Sequence, residues 1–167
     1  GDLLSITTEN ITPDYEAAVQ WYNAAAQAGY PYGEYSLGLA LSEGRGIEQD
    51  SKEAARWFRR AAYQGYRPAQ YELGRLYARG DGVMRNDISA YGWLSISLND
   101  NNDMTPEILS NLVMRMDPDL RDRAVQLEAR YRERFSILSN AQLQANESAS
   151  LKKHVPTPCD PCLDPAF

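Results

Sequence analysis

Trp21, Trp57 and Trp93 are the only tryptophans in the chain, and they are separated by 36 and again by 36 residues. Equal spacing at a period of roughly 20–50 residues marks stacked repeats, and it restricts the fold before composition is considered. The same offset relates Ala18, Ala54 and Ala90, then Asp14, Asp50 and Asn86, then Ile11, Ile47 and Val83. Pairs at this offset include Tyr30 with Tyr66, Tyr35 with Tyr71, Leu37 with Leu73, and Gly38 with Gly74. Gly44-x-Gly46 returns as Gly80-x-Gly82. No insertion breaks the register.

Each period reads as two helices. From Pro31 to Glu43, residues Tyr35, Leu37, Leu39, Ala40 and Leu41 supply the apolar positions, with Gly38 among them. A glycine inside a helix costs about 1 kcal/mol, so one that recurs in phase points to a close crossing. The paired glycines that follow end the first helix. Asp50 then starts a second helix, with Glu53 placed three residues on as in a capping box. Ala54, Trp57, Phe58, Ala61 and Ala62 give it one buried stripe. Gly65 ends this helix where Gly29 ended the previous one, and Asn101 takes that place in the third copy.

Composition removes other classes. The net charge of −6 argues against a nucleic-acid binder, which needs a basic footprint. No apolar run approaches the ~18 residues of a membrane span. His154 is the one histidine, and Cys159 and Cys162 are the only thiols, both near the C-terminus. No Ser/His/Asp set, phosphate loop or metal cluster is present, so the sequence offers no catalytic residues and calls for no cofactor or metal.

The segment Leu73-Gly74-x-Leu76-Tyr77-x-x-Gly80-x-Gly82-Val83, followed by Asp87, Ala90 and Trp93, closely resembles the Sel1-like repeat family, relatives of the tetratricopeptide repeats. Its earlier copy runs from Leu37-Gly38 through Asp50, Ala54 and Trp57 to Gly65. The resemblance covers roughly Tyr15 to Arg134. It implies an all-α, α/α solenoid of about three helix-pair repeats with a C-terminal capping helix pair. It also implies a non-enzymatic scaffold or adaptor that binds a protein or peptide partner through its concave face.

Three segments follow: residues 1–13 as an N-terminal segment or partial repeat, 14–140 as the repeat domain with cap helices, and 141–167 as a proline-rich tail. In the cap, Thr105-Pro106 and Asp117-Pro118 are helix starts. Leu109, Leu112 and Val113 continue the phase of the first helices. The last helix carries Leu120, Ala124, Leu127, Tyr131 and Leu138 on one stripe and a charged outer face. Gly1 in place of Met fits a cleaved export signal as well as truncation or an expression scar. Export to the periplasm or the medium is favoured over the cytoplasm, because bacterial members commonly act in the envelope.

In the family the first helix of each pair lines the concave face. Positions that keep helical phase but change identity between copies there are Glu34/Gln70, Ser36/Glu72, Leu39/Arg75 and Glu43/Arg79. A changing surface on a constant frame is how a repeat protein encodes a partner. The three tryptophans are expected to be buried along one seam, and Tyr35, Tyr71 and Tyr77 to pack, leaving Tyr30, Tyr32 and Tyr66 as contacts. Arg56, Arg59 and Arg60 form a basic stripe that would dock an acidic peptide or phosphate, although nearby carboxylates favour a balanced outer face. Two alternatives stand beside the scaffold. One is a redox- or metal-responsive role for Cys159-x-x-Cys162, where a local disulfide is the simpler reading; the other is a small envelope-derived ligand in the groove. The tail, with four prolines after Pro118, is expected to dock intramolecularly in the groove or against the cap.

Overall fold

The computed structural model describes the backbone of residues 14–98 and 106–153, and the side chains of residues 14–98 and 107–137. Among the described residues there are seven helices and no strand. These are α1 (Tyr15–Gln27), α2 (Pro31–Glu43), α3 (Ser51–Tyr63), α4 (Arg67–Arg79), α5 (Asp87–Ser97), α6 (Pro106–Arg115) and α7 (Pro118–Lys153).

The 36-residue phase sets the helix ends. A carboxylate or amide oxygen at the same repeat position caps α1, α3 and α5. Asp14 accepts from the Ala17 amide at 2.9 Å, Asp50 from Lys52 and Glu53 at 2.9 and 3.0 Å, and Asn86 from Ser89 at 3.0 Å. Such a cap satisfies amides that the first turn leaves unpaired. The capping box is half made: Glu53 turns outward and pairs with Arg56 at 2.8 Å. Helices α2 and α4 begin with a proline in the first turn and end in left-handed Gly44 and Gly80. Asp117 caps α7 by accepting from Leu120 at 2.8 Å.

Packing follows chain order: α2 lies against α1 and α3, and α4 against α3 and α5. This nearest-neighbour stacking is the solenoid arrangement. Ala54, Trp57, Phe58, Ala61 and Ala62 fill the expected stripe of α3. Gly38 and Gly74 make the close crossings. A Cβ on Gly38 would stand 2.8 Å from the Phe58 ring, and one on Gly74 would stand 2.7 Å from Leu94 Cγ.

The ends depart from expectation in three respects. First, Trp57 and Trp93 are buried (8% and 2% exposed), but Trp21 is 76% exposed. Trp93 is covered by Tyr63 of α3 at 5.2 Å and by Tyr131 and Phe135 of α7 at 4.5 and 6.1 Å. Trp21 occupies the first copy, where no earlier described helix supplies such cover. Second, α7 rather than α6 is the main further neighbour of α5. Helix α6 contributes Leu112 and Met116 to a second apolar cluster with Ala90, Leu94 and Ala124. Third, the boundary expected at 140 falls inside α7, which continues to Lys153. Residues 140–150 contain neither glycine nor proline, so no strong helix breaker interrupts them.

The N-terminal segment 1–13, Asn101, Thr105 and Leu138 lie outside the residues or side chains described. So do His154, Cys159, Cys162 and the docked tail.

Candidate partner-binding face

The first helices of the two complete repeats, α2 and α4, carry the expected positions and bring some of them together. Tyr35 is the junction. Its ring lies 5.3 Å from Tyr66 and 5.9 Å from Phe58, so it packs between α3 and the start of α4. Burial raises the Tyr35 phenol, and the Glu72 carboxylate raises it further, with Tyr66, Glu43 and Arg75 also within electrostatic reach. Glu72 is itself raised by burial. Arg75, Glu43 and Arg79 act on it in turn, the first and last lowering it. Glu43, Glu72, Arg75 and Arg79 thus form one electrostatic group across two helices. Glu72 and Arg75 pair at 3.2 Å, and the Arg75 Nε is buried without a hydrogen-bond partner among the described residues.

Beside this group, α1 and α2 enclose a groove of ≈ 200 Å³ lined by Tyr15, Tyr22, Tyr32, Tyr35, Val19, Leu39 and their small neighbours. Glu43 and Arg45, paired at 2.9 Å, close one end. The four tyrosine hydroxyls make no hydrogen bond among the described residues, so the groove offers apolar walls with free polar tips.

Not every expected contact residue belongs here. Leu39 and Arg75 are partly exposed, Glu43 and Arg79 are exposed, and Glu72 is half-buried. Ser36 lines the groove but is buried. Glu34 and Gln70 are buried and hold the frame instead. Gln70 donates to the Ala62 carbonyl at 3.2 Å, using a second lone pair of an oxygen that also accepts from the Gly65 amide at 3.0 Å at the end of α3. Glu34 stands at the same repeat position, but a carboxylate cannot donate. It turns to α3, where Arg60 reaches it at 2.9 Å and Gln64 donates at 2.7 Å. Two polar residues in phase look variable and solvated in the sequence, yet here each pairs with the helix beside it.

Burial holds the Glu34 carboxyl above its ordinary value of 4.5, although Arg60 and Gln64 favour its charged form. A folded pKa above the unfolded one gives stability that is present below the ordinary carboxylate value and is lost as pH rises through the folded value. Glu34→Gln removes that titration. Its melting temperature relative to the wild type is therefore expected to rise between pH 4 and pH 7, followed by circular dichroism. A constant difference would contradict the assignment.

The basic stripe is spent internally. Arg56 pairs with Glu53, Arg59 donates to the Tyr77 hydroxyl at 3.3 Å, and Arg60 holds Glu34 while lying 4.6 Å over the Trp57 ring. Tyr30 and Tyr32 are exposed as expected, whereas Tyr66 is partly covered by Tyr35. Sequence reasoning missed Phe135, which packs on Trp93 and Tyr131. Its position four residues after Tyr131 on the same stripe was the available signal. Among the described residues no cluster could hold a metal ion, and no helix is long and apolar enough to cross a membrane.

A family model for the Sel1 repeat matches residues 8–30, 31–66 and 67–102. Among solved structures, the chain is similar to c5321, a protective antigen of uropathogenic Escherichia coli with an SLR fold. That match has 28% identity and a TM-score of 0.71, covering 92% of this chain and 32% of that one. It is also similar to a Sel1 repeat protein from Oxalobacter formigenes, with 30% identity and a TM-score of 0.56, over 67% of this chain and 47% of that one. Curated relatives are the DAP3-binding cell death enhancer 1 proteins of Rattus norvegicus and Mus musculus. Each is 48% identical over 44 residues, which is 26% of this chain and 9% of the relative. The chain thus matches a small part of those relatives.

Proposed function

The chain belongs to the Sel1 repeat family, and we propose that it holds a protein or peptide partner against the face shared by α2 and α4. Proteins of this family generally act as protein–protein interaction scaffolds and are typically non-enzymatic. The observation that carries the reading is the group Leu39, Glu43, Glu72, Arg75 and Arg79 beside the tyrosine groove. These residues occupy one repeat frame, differ between copies and reach the surface or its edge. Aromatic walls with free hydroxyls suit the anchor side chain of a peptide, and the charges set its register. Leu39, Glu43, Arg75 and Arg79 are the contacts assigned to the partner, with Ser36 and Glu72 behind them.

A small-molecule role is less favoured. The groove of ≈ 200 Å³ falls below the ~300–1,000 Å³ common for ligand pockets.

A matched pair of charge swaps tests the reading. Glu72→Lys with Arg75→Glu inverts the i, i+3 pair of α4 without changing net charge. Glu53→Arg with Arg56→Glu does the same to the exposed pair of α3. The α4 swap is expected to weaken partner binding at least ~10-fold, whereas the α3 swap leaves it unchanged.

A further inference from the structure

Helix α4 carries one carboxylate and two guanidiniums along a single stripe. Glu72, Arg75 and Arg79 stand at i, i+3 and i+7, which sets them in line on one side of the helix. They do not reach the surface equally. In the Glu72–Arg75 pair the glutamate side chain is 13% exposed and the arginine 36%, while Arg79 is exposed. Arg79 makes no hydrogen bond or ion pair among the described residues, and the Arg75 Nε is buried there without an acceptor. On α2 the Glu43 carboxylate is already held by Arg45 at 2.9 Å. The face therefore turns outward two guanidiniums one helical turn apart, with donors to spare and their own carboxylate recessed.

Guanidiniums placed in this way suit a carboxylate, to which their planar forks make strong charge-assisted hydrogen bonds. The chain's net charge of −6 repels an acidic segment at long range, so the arginine pair fixes where one seats. Tyr35 joins the pair to the groove. Its ring lines the groove, and its phenol lies within electrostatic reach of Glu72, Arg75 and Glu43. A segment that fills the groove with one side chain brings its neighbouring residues to the arginines. There it meets Glu72, on which Arg75 and Arg79 of α4 and Glu43 of α2 act. An incoming carboxylate is a like charge to Glu72, and the two compete for Arg75.

Building on the α2–α4 reading above, we propose that the partner segment is an acidic peptide with an aromatic anchor. Its carboxylate takes Arg75 and Arg79 in place of Glu72, while the aromatic ring enters the α1–α2 groove. Glu72 is then a built-in competitor that sets the affinity. Removing its charge strengthens binding, the opposite of what a basic partner would show.

The test uses the full chain labelled with ¹⁵N and short glycine–serine peptides that carry one phenylalanine and one glutamate at varied spacing. Control peptides replace the glutamate with lysine. The side-chain Nε–H resonances of Arg75 and Arg79 report the site, and titration gives a dissociation constant. At least one glutamate peptide is expected to bind and shift both resonances. Glu72→Gln should tighten that binding about 2–5-fold, the scale of one exposed ion pair. Arg75→Gln and Arg79→Gln should each weaken it at least ~5-fold. Matching far-ultraviolet circular dichroism spectra show that the variants are folded. Failure of every glutamate peptide to bind, or an equal or weaker constant for Glu72→Gln, would overturn the proposal. Lysine peptides that bind instead, and are lost with Glu72→Lys/Arg75→Glu, would overturn the acidic occupant and leave the α2–α4 reading standing. Peptides that bind that double variant as well as the wild type would count against both.

Discussion

Trp93→Ala is expected to lower the unfolding free energy by about 3–5 kcal/mol, the cost of emptying a large aromatic site in a core that cannot collapse around it. Trp21→Ala is expected to stay within about ±0.5 kcal/mol, as surface substitutions do. The two residues share a repeat position and differ only in their neighbours. Trp93 is 2% exposed and is enclosed by Tyr63, Tyr131 and Phe135, whereas Trp21 is 76% exposed. Tyr131 also depends on this cluster, and burial there pushes its phenol up to about 12. Urea titration followed by far-ultraviolet circular dichroism reads both costs, since the signal is the loss of helix and does not depend on either tryptophan. Equal losses would mean that the helix stack does not decide where the tryptophan contributes.

The second large effect is at the inter-repeat turn. Gly82→Ala is expected to cost about 2–5 kcal/mol, and Gly80→Ala about 1–2 kcal/mol, although both glycines have positive φ (+67° and +83°). The left-handed conformation penalises any other residue at either site. Only at Gly82 does an added Cβ also run into backbone, the Ser51 carbonyl at the start of α3. At Gly80 it would stand 3.3 Å from the Arg85 Cβ and 3.5 Å from its amide nitrogen, a tight contact without overlap. Gly46 repeats the arrangement against Tyr15 at the start of α1. The second glycine of each pair therefore lets one repeat's turn lie on the preceding repeat's helix. Melting temperatures of the two single variants separate strain from overlap, and equal losses would remove the inter-repeat contact from the account.

Much of this was legible in the chain because a repeat states each instruction more than once. Asp14, Asp50 and Asn86 cap three helices as their phase requires, and Gly44 and Gly80 end two others. The stripe of α3 was readable in full. What periodicity could not give was the difference between equivalent positions. Trp21 carries the sequence environment of Trp57 and Trp93, but its exposure depends on which helix lies beside it. Glu34 and Gln70 look like variable surface residues, and their burial follows from a carbonyl and an arginine supplied by the neighbouring helix. Helix α6 keeps the apolar phase of a first helix, yet α7 takes the larger place against α5, where Tyr131 and Phe135 complete the cover of Trp93. Of the proposed contact face, the frame was visible in sequence, while the tyrosine groove required α1 and α2 to be set side by side.

The functional account stands on the α2–α4 face, and the dissociation constant of the bound partner tests it most directly. It should be measured for the wild type and for the two charge-swapped proteins under one salt condition. The account predicts a constant at least ~10-fold larger for Glu72→Lys/Arg75→Glu and an unchanged one for Glu53→Arg/Arg56→Glu. Equal constants for all three, or a loss confined to the α3 swap, would contradict it.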